Sequence, residues 1–60
     1  MNPERIKNAL TTAGLPAPDG DLLDASYRTR TDDWYVQTSR GWFWWDNRTR
    51  EWKSQPMGPS

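Results

Sequence analysis

The sequence predicts an α+β fold, an N-terminal helix followed by a three-stranded, or four-stranded, antiparallel β-meander. Three features carry that expectation. Apolar residues recur at helical spacing near the start of the chain, aromatic and β-branched residues concentrate from Trp34 onward, and Gly, Pro, Asp and Asn punctuate the segments between. Sixty residues make a single small domain over 1–60, near the lower size limit for a core that stands without help. Only 33% of them are apolar and there is no Cys, so neither a disulfide framework nor a cysteine-based metal site adds stability. Five Trp, two Tyr and one Phe must therefore supply much of the buried area, at about 150–250 Å² for each large ring.

Asn2 is placed to cap free backbone N–H groups, Pro3 suits the first helical position, and Glu4 lies near the positive end of the helix dipole. Ile6, Ala9, Leu10 and Ala13 form one apolar stripe and Gly14 supplies a left-handed stop, so a helix is expected over 3–13. The segment 15–26, LPAPDGDLLDAS, reads as a connector, because Pro16 and Pro18 remove backbone donors and Asp19-Gly20 favours a turn. Within it, Leu22 and Leu23 suit one helical turn capped by Asp21. Tyr27 to Thr31 alternates and is β-prone, which fits an edge strand or an extended approach to the sheet. The meander itself is expected over 34–54. WYVQT and WFWWD form two strands joined through Ser39-Arg40-Gly41, and a turn at Asp46-Asn47-Arg48-Thr49 returns the chain as REWKS. Residues 55–60 are expected to form a flexible tail. No internal repeat or low-complexity tract stands out.

Side chains alternate across a strand, so Trp34, Val36, Phe43 and Trp45 are expected to meet Ile6 and Leu10 of the helix. Tyr35, Trp42 and Trp44 then fall on the opposite face. Arg50 and Trp52 share a face of the last strand and are expected to join them, giving a candidate ligand-binding set of Tyr35, Trp42, Trp44, Arg50 and Trp52. A large exposed aromatic patch normally marks a partner. The competing reading is purely structural, with the connector folded over Trp42 and Trp44 so that both sheet faces are buried. Arg48 and Arg50 straddle the second turn, where they can stack on Trp52 or Trp44.

Residues 34–56 resemble a WW domain, the small three-stranded module that binds proline-rich peptides. Trp34 resembles its first Trp, Trp44-Trp45-Asp46-Asn47 its aromatic pair and following Asn, Trp52 its second Trp, and Pro56 its closing Pro. The resemblance implies a structural buckle of Trp34, Trp45 and Pro56, and a proline groove formed by Trp44 and Trp52. The stretch from Asn47 to Trp52 is shorter than is usual in that family, and Arg48 and Arg50 stand where His and Thr are common.

Charge bounds the function. Eight basic and eight acidic side chains cancel, which argues against bulk electrostatic attraction to nucleic acid. Residues 1–33 carry four basic against six acidic groups and residues 34–60 four against two, so the second half is mildly basic. The leading expectation is a non-catalytic module that binds a protein or peptide partner, proline-rich or extended, with its aromatic sheet face. One alternative is single-stranded nucleic acid, with bases stacked on Trp42, Trp44 and Tyr35 and phosphates met by Arg40, Arg48 and Arg50. Another, from the Arg-rich, Lys-poor and Cys-free composition, is a phage or bacterial accessory protein that inhibits or modulates a larger host protein. The chain's own PAP and QPMGP segments raise self-association as a further prospect. An enzyme is not expected. There is no His, no Cys and no phosphate-cradling Gly loop, and the adjacent Asp32 and Asp33 point apart in a strand or cap backbone donors in a turn. No catalytic residue, metal or cofactor is assigned. No segment approaches the roughly 20 apolar residues that span a bilayer, and Met1 to Leu10 has no signal-like apolar run, so the expectation is a cytoplasmic protein with no membrane partner.

Overall fold

Helix α1 (Pro3–Thr12) starts on a complete cap: Asn2 is extended and its side chain accepts the Glu4 N–H at 2.8 Å, with Pro3 at the helix start and Glu4 in the first turn. Its end is equally well specified. Gly14 takes φ 76, the Gly14 N–H bonds the Thr11 carbonyl at 3.0 Å, and the Leu15 N–H reaches back to the Leu10 carbonyl at 2.9 Å. This paired closure satisfies carbonyls that the helix leaves free, and it drops Leu15 onto the same apolar cluster as Leu10. A computed structural model describes residues 2–55; the rest of the expected tail and Pro56 lie outside them.

Four strands follow, β1 (Leu22–Arg28), β2 (Asp33–Thr38), β3 (Gly41–Asp46) and β4 (Glu51–Gln55), paired antiparallel in the order β1-β2-β3-β4. The protein is thus an α+β fold with one helix on an open four-stranded meander. Leu22 and Leu23 belong to β1 and not to a helical turn, so the connector ends before residue 22. Tyr27 and Arg28 belong to the expected edge strand, but the sequence hides its first part because the register slips between Leu22 and Asp24. That bulge leaves Leu22 against the core and Leu23 47% exposed, which breaks the period of two that marks a strand. Thr29–Thr31, read above as extended, lie in the turn between β1 and β2.

Ile6, Leu10 and Val36 form the fully buried centre, and Leu15, Leu22, Ala25, Trp34 and Trp52 pack against it. All the sheet residues in that set share one face, as the pairs Ala25↔Val36, Val36↔Phe43 and Trp45↔Trp52 require. Phe43 shares this face but is only half-buried. The connector crosses the same face. Pro18 is buried, the Trp52 Nε1–H donates to the Pro16 carbonyl at 2.7 Å, and Asp21 and Ser39 exchange two hydrogen bonds at the β2–β3 turn. Among the described residues the connector therefore seals the core and leaves the Trp42 and Trp44 side uncovered.

The register of β4 differs from the sequence expectation. Trp45 pairs with Trp52, and Trp44 with Lys53, so Trp52 and Arg50 project on the helix side, opposite Trp42 and Trp44. The cause is the turn Asn47–Arg50, which closes with the Arg50 N–H on the Asp46 carbonyl at 2.8 Å and Arg50 left-handed at φ 59. Each one-residue change in such a loop exchanges the two faces of the returning strand.

The same turn geometry occurs twice. In residues 27–34, YRTRTDDW, Tyr27 pairs with Trp34 and Asp32 is left-handed at φ 56; in residues 45–52, WDNRTREW, Trp45 pairs with Trp52 and Arg50 holds the equivalent position. Arg-Thr and the closing Trp recur at matching positions, so an internal repeat is present after all. It is masked in the sequence because the charges are exchanged, Arg28 and Asp32 in one turn becoming Asp46 and Arg50 in the other.

Candidate binding surface

The outer sheet face carries two neighbouring cross-strand rows, Ser26–Tyr35–Trp44–Lys53 and Asp24–Gln37–Trp42–Gln55. Strands stand about 4.8 Å apart, so each row is about 14 Å long, and Trp42 and Trp44, two residues apart on β3, are separated by about 7 Å. Tyr35, Trp42 and Trp44 are each half-buried by their neighbours on this face. The two-residue Ser39-Arg40 turn fixes their alignment: Thr38 pairs with Gly41, whose φ of 118 suits Gly alone. The Arg40 N–H further bonds Thr38 Oγ1 at 3.0 Å.

Charges frame the rings without leaving a field of one sign. The Arg28 guanidinium lies 5.3 Å from the Tyr35 ring centre, a cation–π contact that stiffens the Tyr35 end of the face. Lys53 Nζ sits 3.1 Å from Glu51 and 3.7 Å from Asp46. The hydrogen bond from Lys53 to Glu51 raises the Lys53 pKa against the opposing effect of burial, and both carboxylates add attraction. For Asp46 burial alone would push the pKa up. The backbone N–H groups of Arg48 and Thr49 outweigh it, with Lys53 and Arg48 adding attraction, and the carboxyl is held below its ordinary value. Asp46 is thus both turn cap, accepting the Arg48 N–H at 3.0 Å, and counter-charge to Lys53.

Of the residues expected from sequence, Tyr35, Trp42 and Trp44 come together here. Arg50 and Trp52 do not. Trp52 meets Trp45 edge-on at 5.2 Å and is pinned to Pro16, while Arg50 lies 5.2 Å above the Trp45 ring and donates to Asn47 Oδ1 at 2.8 Å. The stacking partner of Arg50 is therefore Trp45, in place of Trp52 or Trp44. The pair Trp44 and Trp52, which the WW resemblance makes a proline groove, is divided by the sheet; Trp34 and Trp45 of the implied buckle do share the helix side. Asp24, Ser26, Arg28, Gln37, Lys53 and Gln55 also lie on the outer face and were not expected there as site residues. Gln37 follows from the same alternation as Tyr35, whereas Lys53 and Gln55 need the β4 register.

No protein family, curated protein or solved structure matches the chain. Among the described residues no group of three or more His, Cys, Asp or Glu side chains could hold a metal ion, and no helix is long and apolar enough to cross a membrane.

Proposed function

We propose that this protein is a non-catalytic binding module that engages an extended, proline-rich segment of a protein partner across the outer sheet face. The observation that carries the reading is the alignment of Tyr35, Trp42 and Trp44 on a face that no described helix or connector covers, while both pack on the other side. A polyproline II segment returns to the same side every third residue, about 9 Å along its axis. Laid obliquely across the two rows, each about 14 Å long, it meets both Trp side chains. Such a segment is already extended and loses little entropy on docking. The Gln37 amide, paired across the strands with Trp42, supplies a hydrogen bond to the segment's backbone carbonyls. Lys53 is more than matched by Glu51 and Asp46, which favours a peptide over a phosphate chain.

The test is an NMR titration of the Trp indole groups with a proline-rich decapeptide and, separately, with a single-stranded oligonucleotide. Saturable shifts of Trp42 and Trp44 with peptide, weakened about tenfold or more in Trp44→Thr, are expected. Shifts only with oligonucleotide that vanish in added salt assign the face to nucleic acid. No response of Trp42 and Trp44 to either contradicts the reading.

A further inference from the structure

On the helix side, the ends of the two repeated turns open into one concavity of about 340 Å³. Asp32 and Arg50, which stand on its rim, are the only non-Gly residues with positive φ among the described residues. Asp tolerates left-handed backbone readily, whereas Arg does so at a cost, and Arg50 is held there by the turn. The two come from separate turns, yet both face the same opening.

The chemistry around Arg50 is short of acceptors. Trp45, 8% exposed and part of the wall, has a buried Nε1–H with no hydrogen-bond partner. The Arg50 guanidinium stacks over that ring at 5.2 Å and uses Nη1 on Asn47, and its other N–H groups meet no protein acceptor among the described residues. A buried N–H is rarely left unpaired, and a guanidinium offers a planar pair of donors that fits a carboxylate. Across the concavity Asp32 is already engaged, accepting the Tyr27 hydroxyl at 2.6 Å. That bond, with the Asp32 charge, raises the Tyr27 pKa and keeps the phenol protonated as donor. The Tyr27 and Trp34 rings, 4.9 Å between centres and tilted 40° to each other, form an apolar wall continued by Leu15, against which a planar ring can lie on Trp34.

We propose that this concavity binds a carboxylate carried on a flat apolar group. The carboxylate meets Arg50 and the Trp45 N–H, and the apolar group lies against Trp34, Tyr27 and Leu15. The Asp32 charge repels a second acid and fixes which way the ligand points. A free aromatic acid and the C-terminal carboxylate of a peptide ending in Phe present the same chemistry. The site is separated from the outer face by the sheet, so the two can be tested independently.

The experiment is an NMR titration of the indole protons with 3-phenylpropionate, its neutral analogue 3-phenylpropionamide, and Gly-Gly-Phe with a free or an amidated end. A saturable shift of the Trp45 indole proton is expected with 3-phenylpropionate, with affinity for the amide lower by about tenfold or more. Arg50→Gln should weaken the acid by a similar factor and Arg50→Lys by less. The Trp52 indole proton, bonded to Pro16, should stay fixed and report an intact fold in every variant. Binding of free but not amidated Gly-Gly-Phe extends the site to a chain terminus, and binding of 3-phenylpropionate alone assigns it to a small acid. A silent Trp45, equal affinity for acid and amide, or unchanged binding in Arg50→Gln overturns the proposal.

Discussion

Both faces of the sheet carry aromatic rings, five on the helix side and three on the outer side, in opposite surroundings. On the helix side Trp34, Trp45 and Trp52 meet Ile6, Leu10 and Leu15, and one indole is tied to the connector at Pro16. On the outer side Tyr35, Trp42 and Trp44 have only their strand neighbours and the flanking Arg28, Gln37 and Lys53. In a chain with 33% apolar residues, rings that could have enlarged the core instead stand on the uncovered side. Aromatic content alone does not mark a binding face; what else packs against it does.

Substitutions should divide along that line. The largest effect belongs to the centre of the helix side, where Leu10→Ala should cost about 2–5 kcal/mol. For a domain this small that should abolish the cooperative thermal transition. Trp52→Phe keeps most of the ring area but removes the bond to Pro16, and should lower stability by about 1 kcal/mol in urea melts. Trp44→Thr, on the outer side, should cost about 1 kcal/mol or less, since Thr retains β propensity and only cross-strand contacts are lost. Its effect should appear in partner binding. A Trp44→Thr loss as large as that of Leu10→Ala would break the comparison.

Smaller effects sharpen it. Arg50→Gly relieves a left-handed residue, a gain of about 1 kcal/mol, but gives up the cation–π contact with Trp45. The two nearly cancel, so the melting midpoint should move little. The Asp46 carboxyl is held below its ordinary value in the folded chain, so its contribution is present above the unfolded carboxylate pKa and is lost as pH falls through the folded one. Acid should therefore loosen the β3–β4 hairpin, and Asp46→Asn should flatten that part of the pH–stability curve.

Much of this arrangement can be read in the sequence, and particular residues show where reading stops. Asn2, Pro3 and Gly14 mark α1 because capping chemistry is local. The shared face of Tyr35, Trp42 and Trp44 is legible because a period of two survives a short hairpin loop. Beyond Asp46 nothing local decides whether three or four residues turn the chain, and that choice puts Arg50 and Trp52 on the other face. Strand β1 was legible only at its end, where Tyr27 and Arg28 fall within the expected edge strand; Leu22–Ser26 read as connector because the bulge spoils alternation and the pairing partner lies in a later segment. The repeated turn was hidden by exchanged charges at equivalent positions, and the concavity it builds is completed by Ala13 and Leu15, which only the folded chain brings beside both turns.

The most direct test of the account is solvent paramagnetic relaxation of the aromatic ring protons, measured on dilute protein with a neutral soluble probe. Tyr35, Trp42 and Trp44 should broaden strongly while Trp45 and Trp52 stay sharp. Uniform protection of all five rings would show that the outer face is covered, and would contradict its assignment as a partner surface.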